Sequence, residues 1–309
     1  MAVSAQPKSR GFWAEAWAQL RKNRTAMVSL AFIVALIAVA ILAPVIAPFP
    51  YAKGNLLHGS ESPSRLHWLG TDELGRDILS RLIFGARVSL TVAIAAQFVI
   101  VIIGVPVGLL TGYVGGWLDA VIMRIVDAIY GLPNLLIAII IMSTFRGNIA
   151  ASAKNGASWL VRIDTRTDGL IGIFFVISLT HWLTVSRLVR AQVMATKQRD
   201  HVEAARTIGA TDRRIVFTHI LPHVLAPVII AIGFGVPGAI MLEAGLSFLG
   251  IGVNPPTPSW GLMISNGITN MRSHPYMLAS PAITLGVTLL AFTFLGDGLR
   301  DAMDPHMKR

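Results

Sequence analysis

Six stretches of the chain are apolar over a length that matters: Met27–Ala47, Val88–Leu110, Ala128–Phe145, Gly169–Val185, Val224–Leu242 and Leu278–Gly296. A helix rises about 1.5 Å per residue and the hydrocarbon core of a bilayer is about 30 Å thick, so about 20 apolar residues cross it. The runs are continuous, without the alternation over about ten residues that marks a membrane barrel. Helices are the other way to satisfy every backbone group in lipid. The pattern predicts an all-α polytopic membrane protein with about six transmembrane helices, the third and fourth being the shortest.

The first run holds 21 residues without a charge and follows Lys8, Arg10, Arg21, Lys22 and Arg24. A cleavable signal has an apolar core of roughly 7–15 residues, so this run is expected to span and stay. Orientation follows from Lys and Arg. With the N-terminus inside, sixteen of the 26 basic residues are cytoplasmic, including Arg124, the cluster from Arg187 to Arg214, Arg300, Lys308 and Arg309. Arg76, Arg81 and Arg87 stand against the trend, beside Asp72, Glu73 and Asp77. The expected divisions are a cytoplasmic segment 1–26, a first span 27–47, an outer segment 48–87, a five-span core 88–299 containing a cytoplasmic loop 190–222, and a tail 300–309. Within the outer segment Ile78, Leu79, Leu82 and Ile83 form an apolar stripe opposite Asp77, Ser80 and Arg81, as in an amphipathic helix lying on the membrane surface.

Small residues modify two spans. Gly104, Gly108, Gly112 and Gly116 recur every four residues, a stripe that lets another helix approach closely. Gly233, Gly235, Pro237 and Gly238 interrupt the fifth run, where a bend or broken turn is expected, either for packing or as a flexible element lining a path. The spans carry no charge, and Glu243 abuts the outer end of the fifth. A proton-coupled pump needs intramembrane acids or histidines; His181 is the exception.

Composition agrees with a lipid environment: 54% hydrophobic residues, 14% charged and a mean hydropathy of +0.64, against about 25% charged in soluble domains. The net charge of +10 fits anionic lipid. No basic and aromatic interleaving points to nucleic acid. Cysteine is absent, which excludes disulfides, thiolate metal sites and a thiol nucleophile.

The loop from Arg199 to Pro222 reads as two short capped helices. Asp200 suits an N-cap or first turn, and Val202, Ala205 and Ile208 share roughly one face. Gly209 can close the helix in a left-handed conformation, and Thr211 with Asp212 can open the second. Such a basic, partly apolar knob fits a groove in another protein. Glu203-Ala204-Ala205, then Gly209, then Leu221-Pro222 resembles the EAA loop of ABC importer permeases, with His219 where that pattern often has Ile. Four further blocks, 69–90, 112–127, 243–261 and 296–305, look like those of the dipeptide/oligopeptide/nickel group, C-type subunit.

The resemblance implies the type I importer permease architecture, with both termini cytoplasmic, in a bacterial or archaeal plasma membrane. It implies that Asp200, Val202, Glu203, Ala204, Ala205, Arg206, Ile208, Gly209 and Ala210 form the coupling helix that docks on an ATPase. The implied partners are a second, B-type permease, one or two ATP-binding cassette subunits and a periplasmic or lipid-anchored substrate-binding protein. ATP and magnesium would be held by the ATPase, with no cofactor and no catalytic or metal-binding residue in this chain. Dipeptides or oligopeptides head the substrate classes, with nickel, opines and sugars as alternatives. The outer loop 146–168 is longer than this group usually carries, and is either a contact for the binding protein or a neutral insertion.

The rivals have weaker support. No Gly-Lys pair occurs, so no phosphate-binding loop of the Walker type exists. Ser178 and His181 could form an intramembrane protease pair but lack an oxyanion partner. His219 and His223 have zinc-like spacing with Pro222 between them and no third ligand nearby. A secondary transporter would show inverted repeats and broken helix pairs.

Overall fold

The computed structural model describes residues 11–154 and 159–303. The basic residues Lys8, Arg10, Lys308 and Arg309 lie outside the described residues. Among those described, every regular element is a helix, with one isolated bridge between Thr71 and Asp77. Helix α1 covers Phe12–Leu20 and α2 Arg24–Ile46. Asn23 caps α2 by accepting from the Ala26 amide. An irregular segment with one short turn at Leu56–His58 follows. Then come α3 (Ile78–Val114), α4 (Gly116–Tyr130), α5 (Asn134–Lys154), α6 (Trp159–Arg166) and α7 (Leu170–Lys197). The basic loop holds α8 (Asp200–Thr207) and α9 (Asp212–Arg214), which runs through a π-turn at Ile215–Ile220 into α10 (Leu221–Phe248). Helices α11 (Trp260–Thr269) and α12 (Tyr276–Met303) complete the chain.

Five helical stretches are long and apolar enough to cross a membrane, and the bent pair α4–α5 makes a sixth. Two expectations change. The third run, Ala128–Phe145, is not one straight helix: the chain breaks at Gly131–Pro133 and turns by 89°. Pro133 supplies no amide and disfavours helical backbone in the residue before it, so a helix ends there. The fifth run, where Gly233, Gly235, Pro237 and Gly238 led to an expected bend or broken turn, has no broken turn: it is an uninterrupted helix from Leu221 to Phe248. Tertiary packing overrides the weak local propensity.

The surface helix expected around Leu69–Leu90 is also absent. The chain is irregular up to Asp77, and α3 then continues without a break to Val114. Asp77 caps α3, its carboxylate accepting from the Ser80 amide at 2.8 Å and the Ser80 hydroxyl at 2.7 Å. Ser80 and Arg81, assigned to the wet side of a surface helix, are buried.

Helices α3 and α7 form the most extensive helix pair. Gly104, Gly108 and Gly112 receive Val185, Val189 and Val193. A Cβ on each glycine would stand 2.9, 2.6 and 2.8 Å from the facing valine Cβ, so the backbones meet at a distance only glycine permits. Gly116 is not part of this stripe. It lies beyond the end of α3 with φ +64°, and nothing stands near its missing Cβ. Around this pair a single apolar core joins α2, α5, α10, α11 and α12.

Candidate functional site

The basic loop builds its knob from local rules. Asp200 is the first residue of α8, with Arg199 as the N-cap residue. Gly209 adopts φ +83° with open space around it. The Ala210 amide donates to the Ala205 carbonyl at 3.0 Å and the Gly209 amide to the Arg206 carbonyl at 3.0 Å. These two bonds are a Schellman closure, which satisfies the last carbonyls of the helix. Thr211 then caps α9 by accepting from the Arg214 amide.

Burial sorts the loop into two faces. Val202 and Ala205 are buried inward. Glu203, Ala204, Arg206 and Gly209 are exposed, and Ala210 is half-buried. Ile208, assigned to the same face as Val202 and Ala205, is instead 86% exposed. It follows the last helical residue, so the helical period no longer places it. Phe217 is also exposed, beside a shallow groove lined by Thr211, Arg213 and Arg214. The tip is therefore apolar with a basic rim.

The knob is tied to the spans rather than tethered. The Tyr113 hydroxyl at the end of α3 donates to the Asp212 carboxylate, and the Lys197 ammonium donates to the Tyr113 carbonyl at 2.6 Å. One helical layer deeper, Arg190 on α7 holds Asp119 on α4 through two bonds of 2.5 and 2.6 Å. A planar guanidinium gripping both oxygens of a carboxylate fixes orientation as well as distance. The second helix is not free-standing, because α9 and the π-turn continue into α10 as one stretch, Asp212–Phe248.

The opposite end is braced by buried polar groups that the sequence reading missed. Arg81 is 2% exposed; it donates to the carbonyls of Tyr51 at 3.2 Å and Pro256 at 3.4 Å and pairs with Asp72 at 3.5 Å. His67 meets Asp77 at 2.9 Å. Glu243 does not abut the end of the fifth span but sits inside α10, fully buried, where Ser89 and Ser247 each donate to it at 2.7 Å. Trp260, also fully buried, donates to the Leu82 carbonyl at 3.2 Å. A cleft of ≈ 290 Å³ opens beside this cluster, lined in part by Asp72, Glu73, Arg76, Arg81 and Asn266.

The segment 146–168, expected as an outer loop, is over most of its described residues the end of α5 and helix α6, and it is engaged as well. Arg146 donates to the Gly252 carbonyl. The Asn254 amide donates to the Asp168 carbonyl at 2.8 Å and the Thr257 hydroxyl to the Asp168 carboxylate at 2.7 Å. Residues 155–158 of this loop lie outside the described residues.

Between the two ends, Gly235 faces Gln97, whose Oε1 would stand 2.5 Å from a Cβ there, and Gly233 faces Gly296 at 3.5 Å. Pro237 lies in the helix interior between them and the Glu243 cluster. The protease pair is not assembled: among the described residues the Ser178 hydroxyl has no hydrogen-bond partner, and His181 Nδ1 faces the Ile177 carbonyl and Thr180. A third histidine does stand near His219 and His223, since the His201 ring lies 6.4 and 5.3 Å from theirs. Among the described residues, however, no group of three such side chains could hold a metal ion.

Comparison with known proteins accounts for this arrangement. Residues 104–309 match the family described as binding-protein-dependent transport system inner membrane component, and residues 11–63 match the N-terminal TM domain of oligopeptide transport permease C. The chain is 37% identical to the oligopeptide transport system permease protein OppC of Bacillus subtilis (strain 168), over 98% of this chain and 92% of that protein. It is 36% identical to the dipeptide transport system permease protein DppC of the same organism, over 100% of this chain and 90% of that one. It is 35% identical to the glutathione transport system permease protein GsiD of Pectobacterium atrosepticum, over 96% and 92%. With two thirds of its length inside the family match and relatives similar from end to end, the chain belongs to the inner-membrane permeases of binding-protein-dependent ABC importers.

Proposed function

We propose that this permease imports short peptides as one half of a two-subunit path, and that the segment from Asp200 to Ala210 docks on a separate ATPase. Support for the substrate class comes from relatives named for oligopeptides, dipeptides and glutathione, all similar over nearly the whole chain. The docking role rests on one observation above all, the 86% exposure of Ile208 at the tip of a closed helix. A large exposed aliphatic outside the lipid-facing spans, in a loop that also exposes Arg206, Arg213 and Arg214, fits an apolar groove with an acidic edge.

The mechanism is alternating access. A substrate-binding protein releases peptide to this chain and to a second, B-type permease at the outer face. The ATPase pair would hold ATP and magnesium, whose binding energy would supply the drive for closure, and in closing each ATPase would carry its docked knob inward. Because α9 is continuous with α10 and Asp212 is bonded to Tyr113, that displacement reaches the fifth and second spans directly. This chain performs no bond-making step. Gly104, Gly108 and Gly112 keep α3 and α7 moving as a unit, while Gly233, Gly235 and Pro237 lie where α10 slides against α3 and α12.

Purification of the tagged chain from its own membranes in mild detergent tests this reading. A second permease and one or two ATPases are expected alongside it, and Gly209→Pro is expected to abolish uptake of tri-alanine while the chain still inserts. Wild-type uptake by a fully assembled Gly209→Pro complex would sink the coupling role.

A further inference from the structure

We propose that a polar notch at half-depth in the membrane, walled by Asn134, Thr184 and His181, is a water-facing subsite of the translocation path, in which His181 Nε2 accepts a hydrogen bond from an N–H of the passing peptide. The proposal rests on the importer reading above and locates the substrate within it.

Depth comes first. His181 lies eleven residues below Leu170, the outer end of α7, or about 16 Å at 1.5 Å per residue. The hydrocarbon core is about 30 Å thick, so the ring stands near the midplane. Gly238 on α10 agrees, ten residues and about 15 Å from Phe248, and its missing Cβ would be 3.8 Å from His181 Nε2. The break at Gly131–Pro133 comes to the same level, because Asn134 and Thr184 line one cavity of ≈ 300 Å³ together with His181.

Exposure decides what can cover this place. Residues 131–134, Thr184 and Gly238 are all exposed on the chain's surface. Non-helical backbone at membrane depth is tolerated only where protein or water covers it. A carboxamide, a hydroxyl and an imidazole gathered beside such a break are not a lipid-facing surface. The histidine is also oriented. Its Nδ1 lies 3.2 Å from the Ile177 carbonyl and 3.0 Å from the Thr180 hydroxyl oxygen; with that hydroxyl donating to the Val176 carbonyl at 3.0 Å, both neighbours accept, and the proposed tautomer carries its proton on Nδ1. Nε2 is left as a bare acceptor at the notch, with no partner among the described residues. Toward the basic end Arg187 lies over the ring of Tyr130, which lines the notch, at 4.6 Å, and pairs with Asp127 at 3.6 Å. A peptide offers N–H donors along its whole backbone, whatever its side chains, so one acceptor at the midplane serves many sequences.

The absence of cysteine makes the test direct. Thr184→Cys and Asn134→Cys are placed singly in the complete importer in membrane vesicles and treated with a charged methanethiosulfonate reagent. Labelling of this chain is read by mass, with Val34→Cys on the exposed face of α2 as the lipid control. Labelling of both notch positions but not of the control, slowed several-fold by saturating tri-alanine, is the expected result. No labelling at either position would mean that the partner permease or lipid fills the notch, and would overturn the proposal. In parallel, His181→Phe is expected to lower tri-alanine uptake at least tenfold with subunit assembly unchanged, and His181→Gln, which keeps an acceptor, to recover part of it. Equal uptake by His181→Phe and wild type would remove the histidine from the path. Labelled notch positions in a wild-type importer that carries no tri-alanine would count against the peptide reading alone.

Discussion

Glu243 on α10 and Ser89 on α3 meet at 2.7 Å although 154 residues separate them. The carboxylate is fully buried and takes a second 2.7 Å bond from Ser247, whose oxygen also accepts from the Val253 amide at 3.3 Å. One side chain thus joins two spans and the segment that follows the fifth. Removing it leaves two serine hydroxyls buried without their acceptor, and an unsatisfied buried polar group costs about 1–3 kcal/mol. Glu243→Ala is therefore expected to lower the thermal midpoint of the purified complex by several degrees, while Glu243→Gln, which keeps one of the two acceptor oxygens, is expected to lower it by less. A scanning calorimetry or tryptophan-fluorescence melt that ranks the two variants equally would show that the bonds contribute nothing.

The glycine stripe makes a graded prediction. A Cβ at Gly108 would stand 2.6 Å from the Ser186 carbonyl oxygen and from Val189 Cβ, closer than real contacts allow. Backbone cannot yield as a side-chain tip can. Gly108→Ala is expected to cost about 1–3 kcal/mol, the usual range for overpacking, and Gly108→Leu to prevent assembly. Gly116→Ala meets no neighbour but must adopt φ +64°, a strain of about 1–2 kcal/mol for an alanine. Its effect is expected on the α3–α4 turn alone, without loss of α3–α7 contact. Cross-linking between introduced cysteine pairs on α3 and α7 distinguishes the two sites.

Arg81 carries a larger penalty. Its guanidinium is buried against Asp72 and two carbonyls; Asp72 keeps Arg76 at 2.7 Å, so removal strands no charge but leaves the Tyr51 and Pro256 carbonyls without this donor, at about 1–3 kcal/mol for each buried group left unsatisfied. Arg81→Ala is expected to reduce the yield of folded chain several-fold. Arg81→Lys is expected to rescue only partly, since a single ammonium cannot span both carbonyls and the carboxylate in the same plane. Fluorescence-detected size exclusion of the two variants measures this order.

Much of the fold is legible in the pattern of apolar runs, because lipid imposes a length and a helical backbone that no local preference can override. The runs at Met27–Ala47 and Leu278–Gly296 lie within α2 and α12 to within a few residues. What the pattern misreads are places where long-range contacts decide. Pro237 predicts a break, yet α10 runs on unbroken, packed against α3 and α12. Arg81 looks like a solvated charge until Asp72, Tyr51 and Pro256, far apart in sequence, close around it. Glu243 reads as the end of a span because hydropathy cannot see the serine on another helix. The knob is legible in detail, since Gly209 and Thr211 act through their own backbone neighbours. Ile208 is misplaced only because it follows the last residue to which the helical period applies.

Ile208 provides the last prediction. Its side chain is exposed at the tip of the knob and contacts no core, so changing it should leave the fold of this chain intact. Buried in a partner's groove, an aliphatic anchor contributes about 2 kcal/mol or more, equivalent to about 30-fold in affinity. A carboxylate at that position would have to be desolvated to dock and would face an acidic edge. Ile208→Asp is therefore expected to release the ATPase during purification while the second permease remains bound, and to lower peptide uptake at least tenfold. The thermal midpoint of the permease pair, measured without ATPase, should not move. Glu203→Ala removes an exposed charge that no fold contact uses and should weaken coupling less than Ile208→Asp. Retention of the ATPase by Ile208→Asp at wild-type strength would place the docking surface elsewhere, with the groove beside Phe217 the next position to mutate.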